Sequence, residues 1–275
     1  GCEGVRSLLY GSLTGLKAAT AYQYRVSVDG TAGEEQSFTT VEAVPLTNGG
    51  FDDWSSVAVG KNTLWQPWAE GGTSFWDTGN KGATTVGNSN STPTTETSTG
   101  SGQAASLESK YIVLKFAAGN IFTGTYVRTD GTNGVLQFGR PFTSFPSKLR
   151  IHYKYNCVPI NKSGDDDFKY LVGRPDSCQV YIALTDWDAP LEIRTRPSER
   201  QLFDPSDPKV IAYGELTKGE PVSSWTQADI VLDYRYTNRT PKYIVVVASA
   251  SKYGDYFTGG EGSKLWLDEC ELIYD

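Results

Sequence analysis

The chain has 275 residues, 38% hydrophobic and 21% charged, with a formal net charge of −7. That composition supplies a sizeable core and excludes a disordered chain, while an acidic balance without any basic block argues against nucleic acid or an anionic membrane as partner. No apolar run approaches the roughly 18 to 20 residues that cross a bilayer, and His152 is the sole histidine, so a histidine-rich metal centre is excluded and a Ser-His-Asp triad could use only that residue.

Sixteen tyrosines, 11 phenylalanines and 7 tryptophans stand beside 29 glycines and 13 prolines. This mixture of strand and turn formers, with hardly any apolar period of 3.6, predicts an all-β protein with marginal helix. Residues 1–44 read as the end of an immunoglobulin- or fibronectin III-like domain. Leu13, Leu16, Thr20 and Tyr22 space out a tyrosine corner, in which a phenol reaches back to upstream backbone. Only part of such a sandwich is present, and a hairpin packed on the larger domain is the alternative. A linker over residues 41–45 leads into a second domain, residues 45–275. Strands are predicted over 22–28, 111–116, 149–155, 179–184, 228–234, 243–248 and 264–274. His152, in an alternating run, reads best as a satisfied strand histidine. The Ser/Thr/Gly/Asn tract of residues 84–106 cannot bury apolar surface and is predicted to be a long surface loop.

Four cysteines, Cys2, Cys157, Cys178 and Cys270, fit no metal-ligand spacing. A Cys157–Cys178 disulfide is sterically reasonable if their strands pair; free buried thiols are the alternative. Cys2 is a candidate lipid-attachment site.

Five segments of the second domain occur in one order: Gly50-Phe51-Asp52-Asp53-Trp54, Phe75-Trp76-Asp77-Thr78-Gly79-Asn80, the run from Phe116 to Gly124, Phe138-Gly139-Arg140-Pro141-Phe142 with Lys154-Tyr155, and the run from Phe257 to Asp268. Together they resemble the putative carbohydrate metabolism domain of secreted and cell-surface Bacteroidetes proteins. The resemblance implies a jelly-roll β-sandwich behind the immunoglobulin-like module, in a secreted or cell-envelope protein tied to glycan use.

Sugar recognition needs an aromatic platform for the apolar pyranose face and convergent polar groups for its hydroxyl rim. Trp76 is the candidate platform, with Asp77 and Asn80 as hydroxyl partners; a core tryptophan followed by a turn is the alternative. Asn120 reaches ligand or closes a turn. Arg140, set among aromatics, must be satisfied by an internal carboxylate or by a ligand. Trp187, Asp255 and Tyr256 are placed at the rim of a concave face. Oligo- or polysaccharide is therefore the expected partner, and no cofactor is called for. A structural calcium could join Asp52 or Asp53 to Asp268 if the first and last strands meet, whereas Asp165-Asp166-Asp167 reads as a solvated loop. A glycoside hydrolase would need a facing carboxylate pair, drawn from Asp77, Asp186, Asp188, Asp255 and Glu261. A spacer without any aromatic-lined site is the third possibility.

Overall fold

The computed structural model describes residue 13, residues 15–113 and residues 115–274. Near the N-terminus, β1 (Ala21–Tyr24) pairs with β4 (Gln36–Thr39), and β2 (Ser27–Val28) pairs with β3 (Thr31–Ala32). The Tyr22 hydroxyl accepts the Lys17 amide at 2.8 Å, the reach-back that a tyrosine corner requires. Cys2 lies outside the described residues.

The chain continues with the hairpin β5 (Ser55–Val59) and β6 (Asn62–Gln66), then β7 (Trp76–Asp77), one helical turn α1 (Asn80–Ala83), β8 (Ser91–Thr94) and β9 (Ala104–Glu108). The hairpin β10 (Lys110–Ile112) and β11 (Lys115–Ala117) precedes β12 (Asn120–Asp130), β13 (Asn133–Phe138), β14 (Arg140–Pro141), β15 (Lys148–Asn156) and β16 (Cys178–Thr185). The chain closes through β17 (Leu191–Arg194), β18 (Val210–Lys218), β19 (Val222–Val231), β20 (Asp233–Tyr234), β21 (Tyr243–Ser249) and β22 (Lys264–Ile273). Nine strands form one sheet, in the order β17-β13-β12-β21-β16-β18-β20 with β7 on β12 and β14 on β21; five form the other, in the order β19-β15-β22-β9-β8. The result is the all-β jelly-roll sandwich expected.

Strand periodicity decides what each face buries. Val180, Ile182 and Leu184 of β16 and Ile244 and Val246 of β21 meet Leu149, Ile151, Tyr153 and Tyr155 of β15 and Leu265 and Leu267 of β22 in the core between the sheets. The alternate residues of the nine-stranded sheet point away from that core. Tyr181, Ala183 and Val245 join Phe122, Tyr126, Phe138, Trp187 and Val210 in a second apolar layer on its outer face, on which Leu202 and Phe203 pack. This sheet is thus greasy on both sides.

The structure corrects two expectations and decides between the two alternatives for the cysteines. Residues 111–116 are not one strand, because Val113 takes a left-handed conformation (φ 56°) and turns the chain into the β10–β11 hairpin. The tract 84–106 is not simply a surface loop. It carries β8, and Asn90 and Ser91 are buried because their amides donate to Asn80 Oδ1 at 3.1 and 3.0 Å; hydrogen bonding replaces apolar burial there. Cys157, Cys178 and Cys270 are free, since Cys157 follows β15 in one sheet and Cys178 begins β16 in the other.

Candidate functional site on the outer face of the nine-stranded sheet

Five of the predicted site residues do come together, but they face inward. Trp76 has no exposed surface; its ring lies 5.1 Å from that of Phe51 and 5.8 Å from that of Phe75, and its indole donates to the Thr47 carbonyl at 2.8 Å. It is a core tryptophan and offers no face for stacking. Asp77 is buried and accepts from the amides of Tyr126 and Thr78, both at 2.8 Å, and from Lys81 at 3.2 Å. Asn80, fully buried, donates to the carbonyls of Trp65 and Ser91. Asn120 closes its turn by accepting from Gly79 and donating to the Ala118 carbonyl. Arg140 is satisfied neither by a carboxylate nor by an open site: it donates to Ser74 Oγ and to the carbonyls of Phe75 and Gly124. These side chains brace β7 against β12, and their hydrogen-bonding capacity is consumed by that task.

The other three lie toward the outer face of the nine-stranded sheet. Trp187 is buried there, edge-on to Phe203 (6.2 Å) and donating to Asp207 at 3.1 Å, so it supports the layer rather than its rim. Phe203 stacks on Tyr181 (5.2 Å, 11°) and on half-buried Tyr213 (6.2 Å, 29°). Tyr181 and Glu215 are cross-strand partners on β16 and β18. The Glu215 carboxylate accepts from Tyr213 Oη (2.5 Å), Gln179 Nε2 (3.2 Å) and Thr217 Oγ1 (3.1 Å), with Lys252 Nζ at 3.5 Å. Burial works to raise the Glu215 carboxyl, but Tyr213, Lys252, Thr217 and Gln179 outweigh it and hold it below its ordinary value.

Lys252 leads into the short turn Gly254–Tyr256, which hangs beside this face. Asp255 is solvent-exposed and makes no hydrogen bond or ion pair with any described residue. Even so, burial pushes its carboxyl above the ordinary range against the pull of Arg200, and its charge reaches Tyr181. Asp255 thus stands exposed on this face, near the Tyr181–Phe203–Tyr213 stack. The Tyr256 ring carries the Arg200 guanidinium at 4.6 Å on one side and packs against Phe168 at 4.1 Å. Arg200 Nη1 donates to Asp165 at 2.7 Å, while Nε and Nη2 are buried without a partner. Asp165 is therefore tied down rather than solvated.

Of the proposed hydrolase carboxylates, Asp186 pairs with Arg239, Asp188 with Lys209 and Lys242, and Glu261 with Lys162; Asp255 alone is unspent. Sequence reasoning missed Tyr181, Glu215 and Arg200. The first two sit on strands whose alternation does mark an outward row, but nothing local shows that Phe203 packs on it.

A cleft of about 630 Å³ lies elsewhere, over the five-stranded sheet, between residues 43–50 and β22. His152 and Glu269 line it, and His152 Nδ1 has no hydrogen-bond partner, contrary to the satisfied histidine expected. Its one aromatic residue, Tyr274, is tied by its hydroxyl to both the carbonyl and the amide of Val44. This cleft has no free aromatic face. The N-terminal end of the domain does meet the last strand, as Cys270 donates to the Gly49 carbonyl at 2.8 Å. Asp52 accepts from Gln103 and Asp268 accepts from Ser98 and Glu269, and among the described residues no group of three His, Cys, Asp or Glu is placed to hold a metal ion. No described helix is long and apolar enough to cross a membrane.

Comparison with known proteins gives two results. A family model described as the putative carbohydrate metabolism domain matches residues 50–273. Among solved structures, one described as a putative glycoside hydrolase from Bacteroides vulgatus ATCC 8482 is 22% identical, covering 82% of this chain and 96% of its own, with a TM-score of 0.61. A second, described in the same words and from Bacteroides thetaiotaomicron VPI-5482, is 19% identical over 93% of this chain and 79% of its own, with a TM-score of 0.62. A comparison with curated proteins finds no match.

Proposed function

Because the chain belongs to the putative carbohydrate metabolism domain family, we propose that it recognises an oligo- or polysaccharide, as part of a secreted or surface-attached glycan-utilisation protein, in a recess beside Asp255 on the outer face of its nine-stranded sheet. One observation carries the reading. Asp255, an exposed and unpaired carboxylate, lies within electrostatic reach of Arg200, whose guanidinium has two unpaired nitrogens, near the half-buried rings of Tyr256 and Tyr213. A carboxylate accepts from a pair of sugar hydroxyls, a guanidinium donates to them, and an aromatic face covers the C–H side of the ring. The test is a broad glycan array probed with the native chain and with Asp255→Asn. A signal on some glycan that the variant loses supports the reading; binding that the variant leaves intact rejects this site.

Hydrolysis is a second reading, favoured by the contrast between the two carboxylates near Tyr181. Glu215 is engaged by Tyr213, Gln179, Thr217 and Lys252 while Asp255 has no donor among the described residues, so the former is the candidate base or nucleophile and the latter the candidate acid. Release of reducing ends from a bound glycan, lost in both Asp255→Asn and Glu215→Gln, favours hydrolysis. Binding without release leaves recognition alone.

A further inference from the structure

Beside the recess stands a lysine that no carboxylate neutralises. Lys115, at the start of β11, directs its ammonium at neutral acceptors only: Asn133 Oδ1 at 2.5 Å, and Thr132 Oγ1 and O at 3.2 and 3.4 Å. It also lies 3.5 Å from the centroid of the Phe257 ring. Phe257 follows Tyr256 directly and takes a left-handed conformation (φ 53°), so adjacent aromatic residues each hold one cation, Arg200 over Tyr256 and Lys115 over Phe257. Burial and then the nearby Arg200 charge lower the Lys115 ammonium to about 8. Arg200 itself has one carboxylate on Nη1 and two buried, unpartnered nitrogens. A desolvated cation facing only dipoles and π-faces, beside a half-satisfied guanidinium, is a place where an anion is missing.

Resting on the recognition reading above, we propose that the recess takes an acidic glycan, in which the carboxylate of a hexuronic acid residue lies between Lys115 and Arg200 while the hydroxyls of the same or the next sugar reach Asp255. Asp165 is already engaged by Arg200, and Asp255 lies on the Tyr181 side, so the Lys115 side is free for negative charge. Lysine acts there as a point charge and arginine as a fork, a combination suited to a carboxylate rather than to a neutral hydroxyl pair.

Titration calorimetry on the whole chain, with oligosaccharides of galacturonate, glucuronate and mannuronate, their carboxyl-reduced neutral counterparts and sulfated oligosaccharides, tests this. At least one uronide is expected to bind about tenfold tighter than its carboxyl-reduced partner, the scale of one charge-assisted hydrogen bond. Lys115→Gln should abolish that preference and Lys115→Arg should keep it, both variants unfolding at the native denaturant midpoint. Asp255→Asn should weaken the uronide and its neutral partner alike. Neutral glycans bound as tightly as uronides, or a preference that survives Lys115→Gln, overturn the inference and leave the recognition reading intact. Preference for sulfated sugars over every uronide also overturns the carboxylate assignment. Failure of every glycan, neutral or charged, to bind sinks the recognition reading itself, an outcome distinct from the others.

Discussion

Replacing Trp76 with alanine removes an indole without exposed surface, packed on Phe51 and Phe75 and hydrogen-bonded to Thr47. Large-to-small changes of this kind cost about 3–5 kcal/mol; urea unfolding should show that loss, while the folded fraction binds glycan normally. Asp255→Asn is the converse. Its carboxylate is exposed and touches no described donor, so stability should stay within about 0.5 kcal/mol of native while glycan binding falls. The cysteines give a third expectation. Burial pushes the Cys178 thiol up to about 12 and raises Cys270 further, and half-buried Cys157 is raised and bonded to the carbonyls of Asp176 and Gly219. The thiolate is the reactive form, so Cys178 and Cys270 should resist a thiol reagent at pH 8 in the native protein and react once it is unfolded. Mass spectrometry of the labelled peptides measures this, and native labelling of Cys178 would count against the packing described.

At the scale of elements, close approach of strands sets the most sensitive positions. A methyl group added at Gly119 would lie 2.1 Å from the Glu108 amide nitrogen, a backbone contact that cannot yield cheaply. Gly119→Ala should therefore cost about 1–3 kcal/mol through overpacking, read as a lower urea midpoint with an unchanged slope. Legibility in the sequence was uneven at this scale for physical reasons. Residues 149–155 and 243–248 announce their strands because period-two alternation reflects one face in the core. Residues 91–94 were hidden because β8 is built from small polar side chains that bury by hydrogen bonds. The Phe75–Asn80 segment holds the right residue types for a sugar site, but types do not report direction: in a sandwich, Trp76 meets Phe51 or solvent according to a register that only tertiary pairing fixes. Asp255 and Tyr256 could be placed on a rim because their turn has no apolar period, whereas Arg200 and Lys115 join them only through folding.

Taken as a whole, the molecule has two outer faces that differ in chemistry. Outside the five-stranded sheet, Trp266 and Trp225 are already engaged by Lys154, whose ammonium lies 4.8 and 5.8 Å from their rings and pairs with Glu96. Outside the nine-stranded sheet, Asp255 and Arg200 keep capacity that no described residue uses up, and Lys115 meets only neutral acceptors and the Phe257 ring. The account predicts that Trp225→Ala and Trp266→Ala change glycan affinity less than twofold, the scale expected for residues away from the ligand. The direct test is hydrogen–deuterium exchange with and without a glycan that binds. Protection confined to residues 115–117, 179–185, 199–201, 213–217 and 252–257 is the predicted result. Protection instead at residues 43–50 and 269–274, around the cleft beside His152, would contradict the placement of the site.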